Sequence, residues 1–211
     1  MRITSSIFDN TNCILGEGPF WHPLRSSLIW FDILNKKIFC KDPISVEIQC
    51  HEFTNFVSAA GWINYDQILV ASESNLTLFN LKTKETQILI DLESSDFSTR
   101  SNDGRSDPWG GFWIGTMSKK AELEKGTIYR YFKGELRPLI PRITIPNAIC
   151  FSIDRQYVYF ADSARKKIWR QHLRENDGWP TGDIELFIDM SSEIYVPDGA
   201  VIDSENNLWN A

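Results

Sequence analysis

Residues 147–163 read NAICFSIDRQYVYFADS: a short apolar run, a polar turn around Asp154, then a second run rich in aromatic and β-branched residues. Two such runs joined by turn formers are the signature of an antiparallel strand pair. Four further segments overlay on it: GPFWHPLRSSLIWFDI from Gly18, AGWINYDQILVASE from Ala60, NDGRSDPWGGFWIGTM from Asn102 and DGAVIDSENNLWNA from Asp198. Their second-strand anchors, Trp30, Leu69, Trp113, Tyr159 and Trp209, lie 39, 44, 46 and 50 residues apart, the period at which four-stranded propeller blades repeat. Strands are also expected at residues 28–33, 37–40, 68–72, 76–81, 127–132, 157–161 and 184–188, and no segment keeps helical spacing. The chain reads as all-β, a single propeller domain over residues 1–211.

The 211 residues are 42% apolar and 13% aromatic, with eight Trp, enough to bury a core and to exclude intrinsic disorder. A formal net charge of -6, from 22 Lys and Arg against 28 Asp and Glu, argues against a nucleic-acid partner. The longest basic runs are the pairs Lys36-Lys37, Lys119-Lys120 and Lys166-Lys167, read as solvated turns. No signal-peptide core opens the sequence and no run approaches a membrane span, so a soluble cytoplasmic protein is expected. The cysteines Cys13, Cys40, Cys50 and Cys150 form no CxxC pair and are read as reduced thiols. The sequon Asn75-Leu76-Thr77 then carries no weight.

In a propeller the first strand of each blade lines the central channel, so the residue entering that strand opens onto one mouth. The overlay puts Glu17, Asn102, Asn147 and Asp198 at that slot, with Ala59 and Ala60 in the second repeat. Singly, each is an ordinary turn residue. Together, the carboxylates of Glu17 and Asp198 and the amide oxygen of Asn147 form a hard, oxygen-rich set suited to a divalent cation.

The words GEGPFW (residues 16–21), LIWFDI from Leu28, RSNDGRSDPWGGFWIGTM from Arg100, GTIYRY from Gly126, IPNAICFSIDRQYVYFADS from Ile145 and VPDGAVIDSENNLW from Val196 resemble the senescence marker protein, regucalcin and gluconolactonase family of six-bladed propellers. The resemblance implies one divalent metal ion (Ca, or Zn, Mn, Mg or Fe) on Glu17, Asn147 and Asp198. It implies that Arg100 and Asn102 hold substrate oxygens and that Asp198 also serves catalysis, orienting or deprotonating water. The implied reaction opens a sugar lactone of the gluconolactone, xylonolactone or arabinonolactone type to the aldonic acid. Asp103 is read as a turn residue or a support for the ligands, and Arg100 has an ion-pair role as its alternative.

Two features depart from the family pattern. Some relatives carry an acidic residue shortly after the GTM motif, where this chain has Ser118-Lys119-Lys120. Lys there either reaches a sugar hydroxyl or is simply solvated. The sequence also stops inside the fifth repeat, which leaves about four and a half blades, and an open ring exposes sheet edges and apolar faces. Self-association through that edge, or impaired activity, is the corresponding expectation. Two other functions fit parts of the pattern: a non-catalytic calcium-binding protein using the same ligands, and an interaction scaffold with no metal at all.

Overall fold

The computed structural model describes residues 6–211. Four sheets of four antiparallel strands follow one another in chain order, each strand paired with the one before it. Blade 1 holds β1 (Gly16–His22), β2 (Ser27–Asp32), β3 (Lys37–Lys41) and β4 (Gln49–Glu52). Blade 2 holds β5 (Val57–Trp62), β6 (Gln67–Ser72), β7 (Asn75–Asn80) and β8 (Thr86–Asp91). Blade 3 comprises β9 (Thr99–Ser106), β10 (Phe112–Ser118), β11 (Gly126–Phe132) and β12 (Glu135–Ile143). Blade 4 comprises β13 (Pro146–Phe151), β14 (Tyr157–Asp162), β15 (Lys167–Leu173) and β16 (Pro180–Asp189). A two-stranded sheet of β17 (Ala200–Ile202) and β18 (Leu208–Asn210) completes the described chain. This is the repeated sheet of a β-propeller, with all five anchors on second strands.

Blades 2, 3 and 4 are covered on both faces by their neighbours, so successive side chains of one strand enter different cores. On β6, Ile68 and Val70 pack with Ile29, Phe31 and Ile38 of blade 1, while Leu69 and Ala71 pack with Phe112 and Ile114 of blade 3. A strand buried on both faces has no polar side, and this is why QILVAS reads as an unbroken apolar run. The third core joins Trp113, Ile128 and Ile143 to Ile149, Val158 and Phe160, and the fourth joins Cys150, Tyr159 and Ile168 to Ala200.

The outer strands β4, β8 and β12 lie largely exposed and lack the apolar signal that marks the inner ones. Pro138 and Pro141 are accommodated in β12 because an edge strand needs fewer ladder donors.

First strands β1, β5, β9, β13 and β17 stand side by side around the channel. Arg105 on β9 runs along its wall, donating from Nε to the Ile149 carbonyl (2.9 Å) and from Nη2 to the Ala200 carbonyl (3.0 Å). One side chain thus ties three blades. A cavity of about 760 Å³ occupies the channel, walled by Glu17, Asp103, Arg105 and Asp198 among others, with Trp21, Val201 and Trp209 exposed at its side.

Candidate active site and metal centre

The segment entering each first strand is held by the end of the second strand. Backbone N–H groups of Ile33, Glu73, Lys119 and Ser163 donate to the carbonyls of Leu15, Phe56, Ser98 and Ile145. Two residues beyond each acceptor lie Glu17, Ser58, Arg100 and Asn147, which therefore share one structural position. This corrects the sequence overlay at two blades: Arg100, not Asn102, is the counterpart of Glu17 in blade 3, and Ser58, not Ala59 or Ala60, in blade 2. The overlay failed because it counted residues across bulges. The first strand of each four-stranded blade carries one extra residue, after Glu17 in β1 and Asn147 in β13, but after Val57 in β5 and Ser101 in β9.

At Glu17 and Asn147 the bulge has a particular form. The next residues, Gly18 and Ala148, have φ of 59° and 56°, the left-handed conformation that re-aims a neighbouring side chain. Gly18 is also sterically required, because a Cβ there would lie 2.3 Å from the Ser58 carbonyl oxygen. Asp32 anchors the approach to β1 by accepting the N–H groups of Ile14 (2.9 Å) and Leu15 (3.1 Å). Asp162 does the same for β13 with Thr144 (2.9 Å) and Ile145 (3.1 Å).

Glu17 lines the channel near Arg100, Asp103 and Asp198. Its carboxyl is pushed up to about 7, first by desolvation and then by the negative charges of Asp198 and Asp103, with Arg100 opposing them. Asp103 is likewise raised, chiefly by desolvation, while accepting the Ile149 N–H at 2.8 Å. The structure thus makes Asp103 a tie between β9 and β13 facing the ligand cluster. Asp198 precedes β17, and its own backbone is fixed by Ala211 (N–H to carbonyl, 3.2 Å) and by Asn210 Nδ2 on its carbonyl (2.9 Å).

Arg100 is 8% exposed, and burial draws its pKa below the usual guanidinium value while Glu17 works in the opposite direction. Its Nη1 donates to the Ser101 carbonyl (2.8 Å) and Asn102 Oδ1 (2.9 Å), an amide and a backbone partner rather than a structural carboxylate. Asn102 Nδ2 then donates to the Pro146 carbonyl (2.9 Å) and Asn147 Oδ1 (3.2 Å). Asn102 thus reaches Asn147 from a different position in its strand. Lys119 is not freely solvated: it pairs with Glu73 and donates to the Phe97 carbonyl at 2.8 Å. Lys120 is exposed.

Asn147 is 6% exposed and Ser163 equally so. Asn147 Nδ2 donates to Ser163 Oγ (2.8 Å), whose own hydrogen goes to the Pro197 carbonyl (2.6 Å). The sequence reading had no role for Ser163, although it closes the YVYFADS word beside the blade-4 slot. Among the described residues no group of three or more His, Cys, Asp and Glu is placed to hold a metal. The amide oxygen of Asn147 is a hard donor of the same kind as the carboxylates of Glu17 and Asp198, the chemistry an oxygen-seeking cation takes.

Four-stranded antiparallel blades set side by side along a channel lined by Glu17, Asp103 and Asp198 define a β-propeller with an acidic channel. The family described as SMP-30/Gluconolactonase/LRE-like region matches residues 15–211, and the chain belongs to it. A solved structure of a calcium-binding protein, regucalcin, from Agrobacterium tumefaciens superposes with a TM-score of 0.95 at 38% identity, covering 97% of this chain and 70% of that one. A Rhizobium meliloti protein with the provisional name sugar lactone lactonase is 34% identical over 93% of this chain and 67% of its own length. The 6-deoxy-6-sulfogluconolactonase of Pseudomonas putida is 28% identical over 94% and 68%. The chain thus spans about two thirds of the length of these relatives.

Proposed function

We propose that the protein hydrolyses a sugar lactone of the gluconolactone or pentonolactone type, with one divalent cation on Glu17, Asn147 and Asp198. The observation that carries this reading is the gathering of Glu17, Asp103 and Asp198 along one channel wall: Glu17 is held at about 7 first by burial and then by the charges of Asp198 and Asp103, and a cation there relieves both. The names of the lactonase relatives support the reaction class, and that of the regucalcin structure supports the cation.

A bound divalent ion supplies Lewis-acid polarisation of the lactone carbonyl. Arg100 keeps unused N–H donors beyond its two internal bonds and aims them at the substrate's carbonyl or hydroxyl oxygens. Both Asn102 amide hydrogens are engaged, so Asn102 offers its Oδ1 as an acceptor to a sugar hydroxyl. Asp198 orients the attacking water and accepts its proton. Water adds to the carbonyl carbon, the bond to the ring oxygen breaks, and that oxygen leaves as a hydroxyl to give the open aldonic acid.

The decisive experiment is pH-stat titration of acid release from a panel of aldonolactones, corrected for spontaneous opening, with Ca²⁺, Mg²⁺, Mn²⁺, Zn²⁺ or Fe²⁺ added or removed by chelator. Metal-dependent turnover that Asp198→Ala reduces on the order of 10³-fold is expected. Metal binding at Glu17, Asn147 and Asp198 without turnover on any lactone transfers the site to the calcium-binding reading, which the regucalcin relative favours. A cytoplasmic location is part of the same reading. It is supported by four free thiols, of which Cys150 is pushed up to about 12 by burial and is chemically quiet. Association with a second copy across the exposed Trp21, Val201 and Trp209 is checked by sedimentation equilibrium.

A further inference from the structure

We infer that Ser163 is a positioning residue for the proposed cation site, acting as the one-way hydrogen-bond relay that fixes Asn147 and locks it to the segment carrying Asp198. The direction of the relay follows from its ends. The Pro197 carbonyl has no hydrogen and can only accept, so the single Ser163 hydroxyl hydrogen is committed to it at 2.6 Å. Ser163 Oγ must then accept its other contact, and Asn147 is obliged to present Nδ2 to it at 2.8 Å. The Asn147 oxygen is thereby turned to the opposite side, where Asn102 Nδ2 meets it at 3.2 Å.

A second proton-free terminus confirms the orientation from the other direction. The Pro146 carbonyl accepts from Asn102 Nδ2 at 2.9 Å, which leaves Asn102 Oδ1 for Arg100 Nη1 at 2.9 Å. Four bonds therefore run in a single sense from Arg100 through Asn102, Asn147 and Ser163 to Pro197. They cross from blade 3 through blade 4 to the segment before β17 and end one residue from Asp198. Bonds aligned this way polarise one another.

The consequence is specific to the amide. Without the Ser163 hydroxyl, the orientation of the Asn147 side chain rests on the longer 3.2 Å contact from Asn102 alone. The flipped rotamer then directs an NH₂ group at the position a cation occupies, replacing an acceptor by a donor. Pro197, next to Asp198, simultaneously loses the Ser163 bond to blade 4. Ser163 is itself well seated: its N–H donates to the Ile145 carbonyl (3.0 Å), and Asp162 caps the single 3₁₀ turn that follows. The hydroxyl is therefore held where the relay needs it.

This inference rests on the proposed cation site, and its test separates the two. Mn²⁺ affinity is measured by calorimetry on the whole metal-free chain for the wild type, Ser163→Ala, Ser163→Thr and Asp198→Ala, with thermal unfolding recorded without metal. Kinetics on glucono-1,5-lactone follow where turnover is found. Ser163→Ala is expected to weaken Mn²⁺ binding about 10- to 100-fold, the usual loss when a ligand's outer partner is removed. Its kcat is expected to fall at saturating metal, while KM changes less. Ser163→Thr, which keeps the hydroxyl, is expected to restore affinity, a rescue that a role in packing alone does not produce. Wild-type Mn²⁺ affinity in Ser163→Ala, beside loss of binding in Asp198→Ala, overturns the relay and leaves the site standing. Weakened binding in both Ser163 variants in step with a lower melting temperature also overturns it, as a packing effect. Undiminished binding in Asp198→Ala overturns the cation site itself.

Discussion

Blades 1 and 4 and blades 2 and 3 are built to one plan but handle the channel differently. In blades 1 and 4 the second strand ends in a buried Asp, Asp32 or Asp162, whose carboxylate grips the two backbone N–H groups that lead into the first strand. Blades 2 and 3 have Ser72 and Ser118 there, and these hydroxyls bond to Asn75 and Glu122 on the following turns instead. The left-handed bulge residues Gly18 and Ala148 likewise belong to blades 1 and 4 alone among the four. The pairs diverge at the channel accordingly: Glu17 and Asn147 from one, Ser58 and Arg100 from the other. A repeat supplies equivalent positions, and the local hydrogen bonds differ between the pair that carries Glu17 and Asn147 and the pair that carries Ser58 and Arg100.

The largest effect that sharpens this contrast comes from the strand-end acids. Asp162→Ala removes a buried acceptor from Thr144, Ile145 and Ala164 together, and is expected to cost about 3 kcal/mol in urea unfolding. Ser118→Ala should cost only about 1 kcal/mol by the same measurement. Equal losses at the two positions would erase the distinction between the blade pairs.

The two bulges should respond in opposite directions. Gly18→Ala drives a Cβ into the Ser58 carbonyl oxygen and is expected to destabilise by about 2 kcal/mol. Ala148→Gly removes a side chain from a left-handed conformation and is expected to stabilise by about 0.5–1 kcal/mol. Chemical denaturation of both variants measures the difference, and a loss on Ala148→Gly would show that packing of the Ala148 methyl outweighs its backbone strain.

The smallest effect separates blade 1 from blade 4. Where blade 4 has Ser152, bonded within its own turn, blade 1 has the enclosed His22. Its Nε2 meets the Asn64 carbonyl of blade 2 at 3.1 Å and its Nδ1 accepts the Arg25 N–H at 3.3 Å. Both nitrogens suit the neutral ring, and burial lowers its pKa. The unfolded chain therefore binds more protons between the folded value and about 6.5. Stability is fully present above that pH and falls as pH drops through the window. A melting temperature lower by about 2–4 °C at the acid end is expected, and His22→Gln should flatten that part of the profile.

Much of this was legible in the sequence. Strands such as QILVAS and YVYFAD announce themselves because both faces are buried, whereas β4, β8 and β12 face solvent on the outside of their blades and leave no apolar pattern. Glu17, Asn147 and Asp198 stood out as oxygen donors at recurring positions, and their words carried the family resemblance. Counting residues misplaced Asn102 and the blade-2 alanines, because a one-residue bulge shifts the register without changing the composition.

The sequence by itself determined the class of fold, the number and order of the sheets it encodes, and which side chains have the chemistry for the channel. Burial on two faces, turn chemistry and donor type are properties of short stretches, and short stretches carry them. Only the tertiary structure decided that Arg100 shares the position of Glu17, that Lys119 is spent on Glu73, and that Ser163 links Asn147 to the segment before β17. Those facts are set by bulges and by hydrogen bonds between residues 16 to 46 positions apart. Such bonds exist only once the blades stand around a common axis.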